Sequence, residues 1–264
     1  MTEARLVASA VLAGLAGIAT WRFRMLSIVG SALAAALGSV AVLAGNRWAV
    51  LLMAFFLPAI ALSRWRRAAK ARLAEGVLSP NATRTALQVA ANGAVFGVAA
   101  LAAVAGAPGW PEIVGVAALA SAAADTWATE VGIGSGATPW SWRTRGPVPP
   151  GTSGAVTMPG TMAMCVGAAW MGTAAALAGF EAGVALVGAL GGVGGALCDT
   201  LLGATVQHRR WCPRCEQLTE RVVHDCHTPT VGQSGWRLMD NDLVNLVSTV
   251  VGAAIACALY AIVR

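Results

Sequence analysis

Long apolar segments separated by short polar stretches run along almost the whole chain. A helix needs roughly 17 to 25 apolar residues to cross a hydrocarbon core of about 30 Å. We therefore predict eight transmembrane helices, of which the first and third are short enough that one of them could be re-entrant. Their approximate bounds are Leu6–Trp21, Met25–Gly45, Trp48–Ser63, Thr85–Gly106, Ile113–Glu130, Val156–Gly179, Ala182–Val206 and Leu243–Val263.

The composition supports a membrane protein. Of the residues, 57% are hydrophobic and 11% are charged, and the mean hydropathy is +0.67, which lies outside the range of soluble globular proteins. The 31 glycines suit closely packed transmembrane helices. We expect an all-α, polytopic helical bundle that forms a single transmembrane domain over residues 1–264.

The basic residues predict the orientation of the bundle. If the RWRRAAKAR loop is cytoplasmic, alternation of eight helices leaves only Arg5, Arg47 and Arg264 of the 18 Lys and Arg outside. The positive-inside rule favours this orientation, which places both termini outside. The net charge of +6 is then a consequence of topology. We expect a multi-pass protein of the cell membrane with lipid neighbours and no nucleic-acid partner, and the oligomeric state stays open.

Three cytoplasmic segments follow from this topology. Residues 64–84 are expected to form an interfacial amphipathic helix over Arg64–Leu78 and a loop. Residues 131–156 form a loop rich in Gly and Pro that we interpret as part of the active site, and residues 207–240 form a loop rich in Cys and His.

Acidic residues near the ends of three predicted helices are the main functional signal. Asp125, Asp199 and Asp242 each lie beside the cytoplasmic end of an apolar segment. A carboxylate at membrane depth costs about 2.5 to 3.5 kcal/mol, so it persists with a partner such as a metal ion, another cation or water. We predict that these three catalytic candidates converge and bind Mg²⁺, which prefers oxygen ligands. Asn245 shares a helix face with Asp242 and is a candidate for contacting the nucleotide.

Glu130 is a fourth candidate magnesium ligand, with an alternative. At 100° per residue, the side chains of Asp125 and Glu130 are about 140° apart around a regular helix. Either the helix ends between them or only one of them faces the ligand. The alternative is that Glu130 caps a turn or pairs with Arg143 or Arg145. Asp240 directly precedes the last helix and is predicted to be its N-cap.

The segment VPPGTSGAVTMPGT predicts a phosphate-binding loop before the sixth helix. Its glycines allow backbone N–H groups to face an anion, and the following helix N-terminus adds its positive dipole end. Thr152, Ser153 and Gly154 are the candidate contacts, with Arg143 and Arg145 as flanking cations. The same composition also suits an ordinary helix entry. The chain has no GxxxxGK[ST] motif, so a P-loop is excluded.

CPRC followed by HDCH suggests a structural zinc site in the 207–240 loop. The candidate ligands are Cys212, Cys215 and Cys226 with His224 or His227. Reduced cytosolic thiols or a redox pair are the alternatives.

Four motifs together resemble a known family. ADTWATEVG, PGTSGAVTMPGT, GGALCDTLLGATVQ and DNDLVNLVST occur in this order within Asp125 to Thr249. They resemble the integral-membrane family that includes plant phytyl-phosphate kinase and animal transmembrane protein 19. The resemblance implies magnesium-dependent transfer of the terminal phosphoryl group of CTP or another nucleoside triphosphate to a prenyl monophosphate, giving the diphosphate. By motif position it implies roles for Asp125, Glu130, Thr152, Ser153, Asp199, Asp242 and Asn245.

Three other functions remain open at this point. A lipid-alcohol kinase would need a base, for which Asp125 or Asp199 would serve. A CTP-dependent cytidylyltransferase would release pyrophosphate. An ion or lipid transporter would use the intramembrane acids for translocation, although their clustering at one interface argues against a path through the bundle.

Overall fold

The computed structural model describes residues 25–75, 84–219 and 222–264, together with Gly14, residues 17–18 and 20–23, and Val77. Eight helices have both ends within these residues. They are α1 (Ile28–Ala44), α2 (Asn46–Arg64), α3 (Arg67–Leu73), α4 (Ala86–Val104), α5 (Trp110–Gly134), α6 (Met158–Leu177), α7 (Ala182–Thr205) and α8 (Asn241–Val263).

The predicted all-α membrane bundle is confirmed. Five of the described helices, α2, α4, α6, α7 and α8, are long and apolar enough to cross a membrane, and α1 is a shorter apolar helix. Together with α5 they correspond to seven of the eight predicted spans. The first predicted span, Leu6–Trp21, lies mainly outside the described residues.

Helix α5 is the central helix of the bundle. It packs against α2, α4, α6, α7 and α8, and residues 115–124 are buried without interruption. Because neighbouring helices surround it, α5 can carry polar residues that a lipid-facing helix could not. The helix continues to Gly134, beyond the predicted end at Glu130.

Glycines of α7 bring three helices into close contact. A Cβ atom at Gly192 would overlap Ala120 of α5, and one at Gly195 would overlap Ser121 of the same helix. The Ser121 hydroxyl in turn donates a hydrogen bond to the backbone oxygen of Ser248 on α8, at 3.3 Å. The small residues therefore set the distances between α5, α7 and α8 one turn away from the acidic residues.

The acidic stretches share one end of the bundle. We call this the loop end, because it carries the connecting residues 135–157 and 206–240. The C-termini of α2, α5 and α7 and the N-termini of α4, α6 and α8 meet there. The opposite end carries the ion pairs Arg47–Glu112 and Arg264–Glu181.

Two small antiparallel sheets form within the connecting residues. The first has the order β2-β1-β3 and consists of β1 (Trp140–Ser141), β2 (Gly146–Pro147) and β3 (Ala155–Val156). The second has the order β5-β4-β6 and consists of β4 (Arg209–Cys212), β5 (Gln217–Thr219) and β6 (Val231–Ser234).

The interfacial helix is shorter than the predicted Arg64–Leu78. Helix α2 continues through Arg64, and Arg66 adopts a left-handed conformation with φ of 49° that separates α2 from α3. Among the described residues after Arg66 in this segment, the helical part is α3.

Candidate functional site

A polar cleft of about 180 Å³ opens at the loop end between α5, α6 and α7. Oxygen-bearing side chains from five separate parts of the chain line it. They are Asp125 and Thr129 of α5, Thr152 and Ser153 of the loop before α6, Thr157 and Thr161 at the start of α6, Asp199 and Thr200 of α7 with Gln207 after it, and Asn241 of α8.

Asp125 and Asp199 meet inside this cleft. Their carboxyl groups, on α5 and α7, lie within hydrogen-bonding reach of each other. Each is one turn nearer the loop end than the Ser121–Gly195 contact that holds the two helices together. Two carboxyl groups this close can both stay ionised only if a cation offsets their repulsion; without a cation they share a proton. The purely oxygen donor set is the one that suits Mg²⁺.

The last helix contributes Asn241 to the cleft, and the structure does not place Asp242 among the lining residues. One residue along a helix is a rotation of about 100°, so neighbours in sequence face different directions. Asn245 lies on the same face as Ser248, one turn nearer the loop end, where α8 packs against α5 and α7. Asp240 accepts a hydrogen bond from the backbone of Leu243 at 2.9 Å, which confirms the predicted N-cap.

Glu130 lies outside the cleft, contrary to its proposed role as a magnesium ligand. Because α5 is regular through Gly134, the Glu130 carboxylate points away from Asp125. It forms an ion pair with Lys70, accepts a hydrogen bond from the Ser63 hydroxyl at 2.6 Å, and lies 4.0 Å from the Arg84 guanidinium. The structure therefore supports the alternative that Glu130 is an ion-pair partner, but with Lys70 in place of Arg143 or Arg145.

The loop before α6 is fastened to the end of α7. Gly154 has φ of 71°, and a Cβ atom there would collide with the backbone of Ala204. Ser153 accepts a hydrogen bond on its hydroxyl from the Gln207 amide at 3.0 Å and one on its backbone oxygen from Arg209 at 3.1 Å. The glycine thus permits a close approach that no other residue would allow, and the loop keeps a fixed position beside Asp199.

The first turn of α6 faces the cleft. The Thr157 hydroxyl accepts a hydrogen bond from the Gly160 backbone at 3.0 Å and caps the helix. Thr157, Gly160 and Thr161 all line the cleft. A helix N-terminus presents unpaired N–H groups and a positive dipole end, so this wall of the cleft suits an anion such as phosphate.

The predicted flanking cations do not reach the cleft. Arg143 is exposed and donates to the backbone oxygen of Thr205 at 3.2 Å, while exposed Arg145 sits in the turn between β1 and β2 with φ of 53°. The basic groups near the site are instead Arg209, which holds the Ser153 loop, and Arg84, whose charge acts on Asp125. The sequence analysis attributed Arg84 and Arg209 to membrane topology alone. It also missed Thr157, although the motif TMP is a helix N-cap signal that could have identified it.

The Cys and His residues of the 207–240 loop form a cluster apart from the cleft. One ligand atom each from Cys212, Cys215, His224 and Cys226 lies within 4.8 Å of all the others. His227 is exposed, so the geometry selects His224 from the two candidates. Hydrogen bonds with Thr228 and His224 lower the pKa of Cys226 to about 5, whereas the hydrogen bond with Cys226 raises the pKa of Cys215 to about 11, so the thiolate form is favoured at Cys226.

The comparison with known proteins covers nearly the whole chain. The sequence profile of the family described as integral membrane protein DUF92 matches residues 11–253, which include every lining residue of the cleft. The chain is 28% identical over 216 residues to an uncharacterized membrane protein of Methanocaldococcus jannaschii, and the match covers 82% of this chain and 77% of that protein. It is 27% identical to Protein PGR of Arabidopsis thaliana over 272 aligned positions, with 92% of each chain covered. No solved structure matches the chain.

Proposed function

The chain belongs to the integral membrane protein DUF92 family, as its four motifs indicated, and we propose that it is a membrane-embedded, magnesium-dependent isoprenyl-phosphate kinase. The reaction is transfer of the terminal phosphoryl group of CTP or another nucleoside triphosphate to a prenyl monophosphate. The observation that carries this proposal is the meeting of Asp125 and Asp199 beside the Gly154 loop and the first turn of α6. A metal–nucleotide complex needs carboxylates on one wall of the cleft to bind the metal ion and anion-binding groups on the other wall to bind the phosphates.

Asp125 and Asp199 fit Mg²⁺, and Asn241 offers a further oxygen from α8. A magnesium ion held by these residues would supply positive charge to offset the negative charge that develops on the phosphoryl oxygens. Phosphoryl transfer asks little covalent chemistry of the protein, so positioning and charge neutralisation account for most of the catalysis. The carboxylate pair supports this role because two adjacent acids in a bundle can both be ionised only if a cation offsets their repulsion.

The nucleotide phosphates are proposed to lie against residues 152–154 and the start of α6. Thr152 and Ser153 offer hydroxyl groups, and the α6 N-terminus offers backbone N–H groups. The close packing of Gly154 on Ala204 holds this wall at a fixed distance from Asp199. Such preorganisation removes the cost of ordering the loop when the substrate binds.

Arg84 supports a lipid phosphate as the acceptor. Its guanidinium donates to the Ser63 hydroxyl at 3.0 Å and is close enough to Asp125 to act on its charge. Arg84 also lines an apolar cavity between α1, α2 and α4, with walls that include Leu37, Leu52 and Phe56. A prenyl chain would occupy the apolar cavity and continue into the bilayer, with its phosphate held near Arg84.

The acceptor itself supplies the nucleophile. A phosphate monoester has a second pKa of about 6, so it is largely dianionic at pH 7. One of its oxygens attacks the terminal phosphorus of the nucleotide, the bond to the bridging oxygen breaks, and the nucleoside diphosphate leaves. No proton has to be removed from the acceptor. The absence of a histidine among the lining residues of the described cleft is compatible with this chemistry.

The loop end is proposed to face the cytoplasm, where the nucleotide is available. It carries the basic segment around α3, whereas Arg47 and Arg264 lie at the opposite end. This distribution follows the positive-inside rule. The core between the two ends is filled by Trp48, Phe96 and other buried apolar side chains, which favours an enzyme over a transporter.

The identity of the products tests the proposal. The purified chain in lipid nanodiscs is incubated with Mg²⁺, one of four nucleoside triphosphates, and a panel of prenyl alcohols and prenyl monophosphates, and the products are identified by mass spectrometry. We expect a prenyl diphosphate and a nucleoside diphosphate. Pyrophosphate with a CDP-lipid would identify a cytidylyltransferase, phosphorylation of the alcohol alone would identify a lipid-alcohol kinase, and nucleotide-independent ion flux in liposomes would identify a transporter.

A further inference from the structure

The cluster in the 207–240 loop has the dimensions of a metal site. The sulfur atoms of Cys212 and Cys226 are 3.5 Å apart, and His224 Nδ1 is 3.4 Å from the Cys226 sulfur. In a tetrahedral site of three Cys and one His, with Zn–S near 2.3 Å and Zn–N near 2.0 Å, the ligand atoms are about 3.5 to 3.8 Å from one another. These two separations are close to the edges of such a site, and all four ligand atoms lie within 4.8 Å of one another.

Two tight turns present the four ligands. Cys212 ends β4, and Cys215 lies in the turn to β5, where Glu216 adopts φ of 53°. His224 and Cys226 lie in a second turn, closed by a hydrogen bond from the His224 backbone to the Thr228 oxygen at 3.0 Å. A C-x-x-C turn facing a second ligand pair is the arrangement of structural zinc sites.

The sheet that carries this cluster needs a cross-link. Its strands contain four, three and four residues, and Val222, Val223 and Val231 are exposed instead of forming a core. Small units with so little buried apolar surface are usually held by disulfides or a metal. All three cysteines are free here, and a disulfide would use only two of the four converging groups.

We propose that Cys212, Cys215, His224 and Cys226 bind a structural zinc ion. The ion fastens β4 to the turn before β6 and so fixes the start of β4, where Arg209 holds the backbone oxygen of Ser153. The zinc site thus braces the loop before α6 from outside the cleft. This proposal can be tested independently of the kinase proposal, because the zinc content of the protein is measured without any substrate.

The test uses the full-length chain, purified in detergent without chelators from cells grown with added zinc. Elemental analysis should give one zinc per chain for the wild type, and the Co²⁺-substituted protein should show the visible absorption of a tetrahedral thiolate site. His224→Ala and Cys226→Ala should lose the metal. His227→Ala is the matched control from the same HDCH segment and should retain it, as should Cys165→Ser on α6.

Thiol reactivity gives a measurement that does not rely on variants. Treatment of the wild type with a strong chelator should release the zinc and make Cys212, Cys215 and Cys226 newly reactive towards a thiol reagent. A wild type that binds neither Zn²⁺ nor Co²⁺ would overturn the proposal. So would a His224→Ala variant that keeps its zinc, or equal metal loss in His224→Ala and His227→Ala.

Discussion

The carboxyl groups of Asp125 on α5 and Asp199 on α7 lie within hydrogen-bonding reach of each other at one end of an apolar bundle. Each alone would cost several kcal/mol at membrane depth, and their mutual repulsion adds to that cost. The close packing of Gly195 on Ser121, one turn away, enforces the contact. This geometry is the basis for the proposed cation site.

Replacing either acid should remove catalysis and leave the bundle folded. We expect Asp125→Asn and Asp199→Asn each to lower kcat by at least about 100-fold, because the amide cannot neutralise a bound cation. Removing one of two repelling charges should not lower the melting temperature. Turnover in nanodiscs and thermal unfolding measure the two effects.

The matched control is Glu181→Gln. Glu181 is an exposed acid at the opposite end of the bundle and accepts a hydrogen bond from the Tyr260 hydroxyl. The variant should keep wild-type turnover. Near-normal activity of Asp125→Asn or Asp199→Asn would remove that residue from the site.

Glu130 should behave as a structural residue. The Lys70 ammonium is buried and also donates to the backbone oxygens of Leu62 and Ser63, at 2.7 and 3.2 Å, so loss of the Glu130 carboxylate leaves it partly uncompensated. We expect Glu130→Gln to lower the free energy of unfolding by about 1 to 3 kcal/mol and to leave kcat within a few-fold. Thermal unfolding and turnover are measured on the same preparation.

Lys70→Met provides the partner variant for this pair. The double variant should be less destabilised than the sum of the two single changes, because each single change already removes the same Lys70–Glu130 ion pair. Loss of turnover in Glu130→Gln with unchanged stability would instead identify Glu130 as a ligand.

A side chain at Gly154 should weaken nucleotide binding. Gly154→Ala places a Cβ atom against the backbone of Ala204 and forces alanine into a left-handed conformation, which costs about 1 to 2 kcal/mol before the collision is counted. The loop must move away from α7, so we expect the KM for the nucleotide to rise at least about 10-fold. Steady-state kinetics with varied nucleotide measure this change.

Gly146→Ala is the control within the same connecting segment, since the nearest atom to its new Cβ lies 3.9 Å away. It should leave the KM unchanged. An equal rise in both variants would mean that the loop before α6 has no special part in nucleotide binding.

Arg84 should matter for the lipid acceptor. Arg84→Gln removes the charge that we place beside the acceptor phosphate, and a hydrogen bond to a charged group is worth about 1.5 to 3 kcal/mol. We expect the KM for the prenyl monophosphate to rise about 10- to 100-fold, with partial recovery in Arg84→Lys, while the KM for the nucleotide stays constant. A rise confined to the nucleotide KM would contradict the assignment.

The sequence predicted those features that depend on local pattern. Seven spans follow from apolar runs, and the Asp240 cap follows from its place before α8. The positions of Asp125 and Asp199 were predicted because an acid in an apolar segment is costly wherever it points. These features need no knowledge of which helices are neighbours.

The remaining features depend on tertiary contacts. Glu130 was assigned to the metal because nothing in the sequence shows that the Lys70 side chain reaches it from α3. Asp242 was preferred to Asn241 because charge is visible in a sequence, whereas the rotation that turns Asn241 into the cleft is not. Likewise, the choice between His224 and His227 depends on the direction of a turn.

Binding of a divalent cation by Asp125 and Asp199 can be measured directly, without substrate turnover. Mn²⁺ replaces Mg²⁺ in oxygen-ligand sites, and its binding to the chain in nanodiscs can be titrated by electron paramagnetic resonance with and without CTP. We expect a site that tightens when CTP is present, is lost in Asp125→Asn and Asp199→Asn, and is retained in Glu130→Gln and Glu181→Gln. Unchanged Mn²⁺ binding in both Asp125→Asn and Asp199→Asn would contradict the proposed cation site.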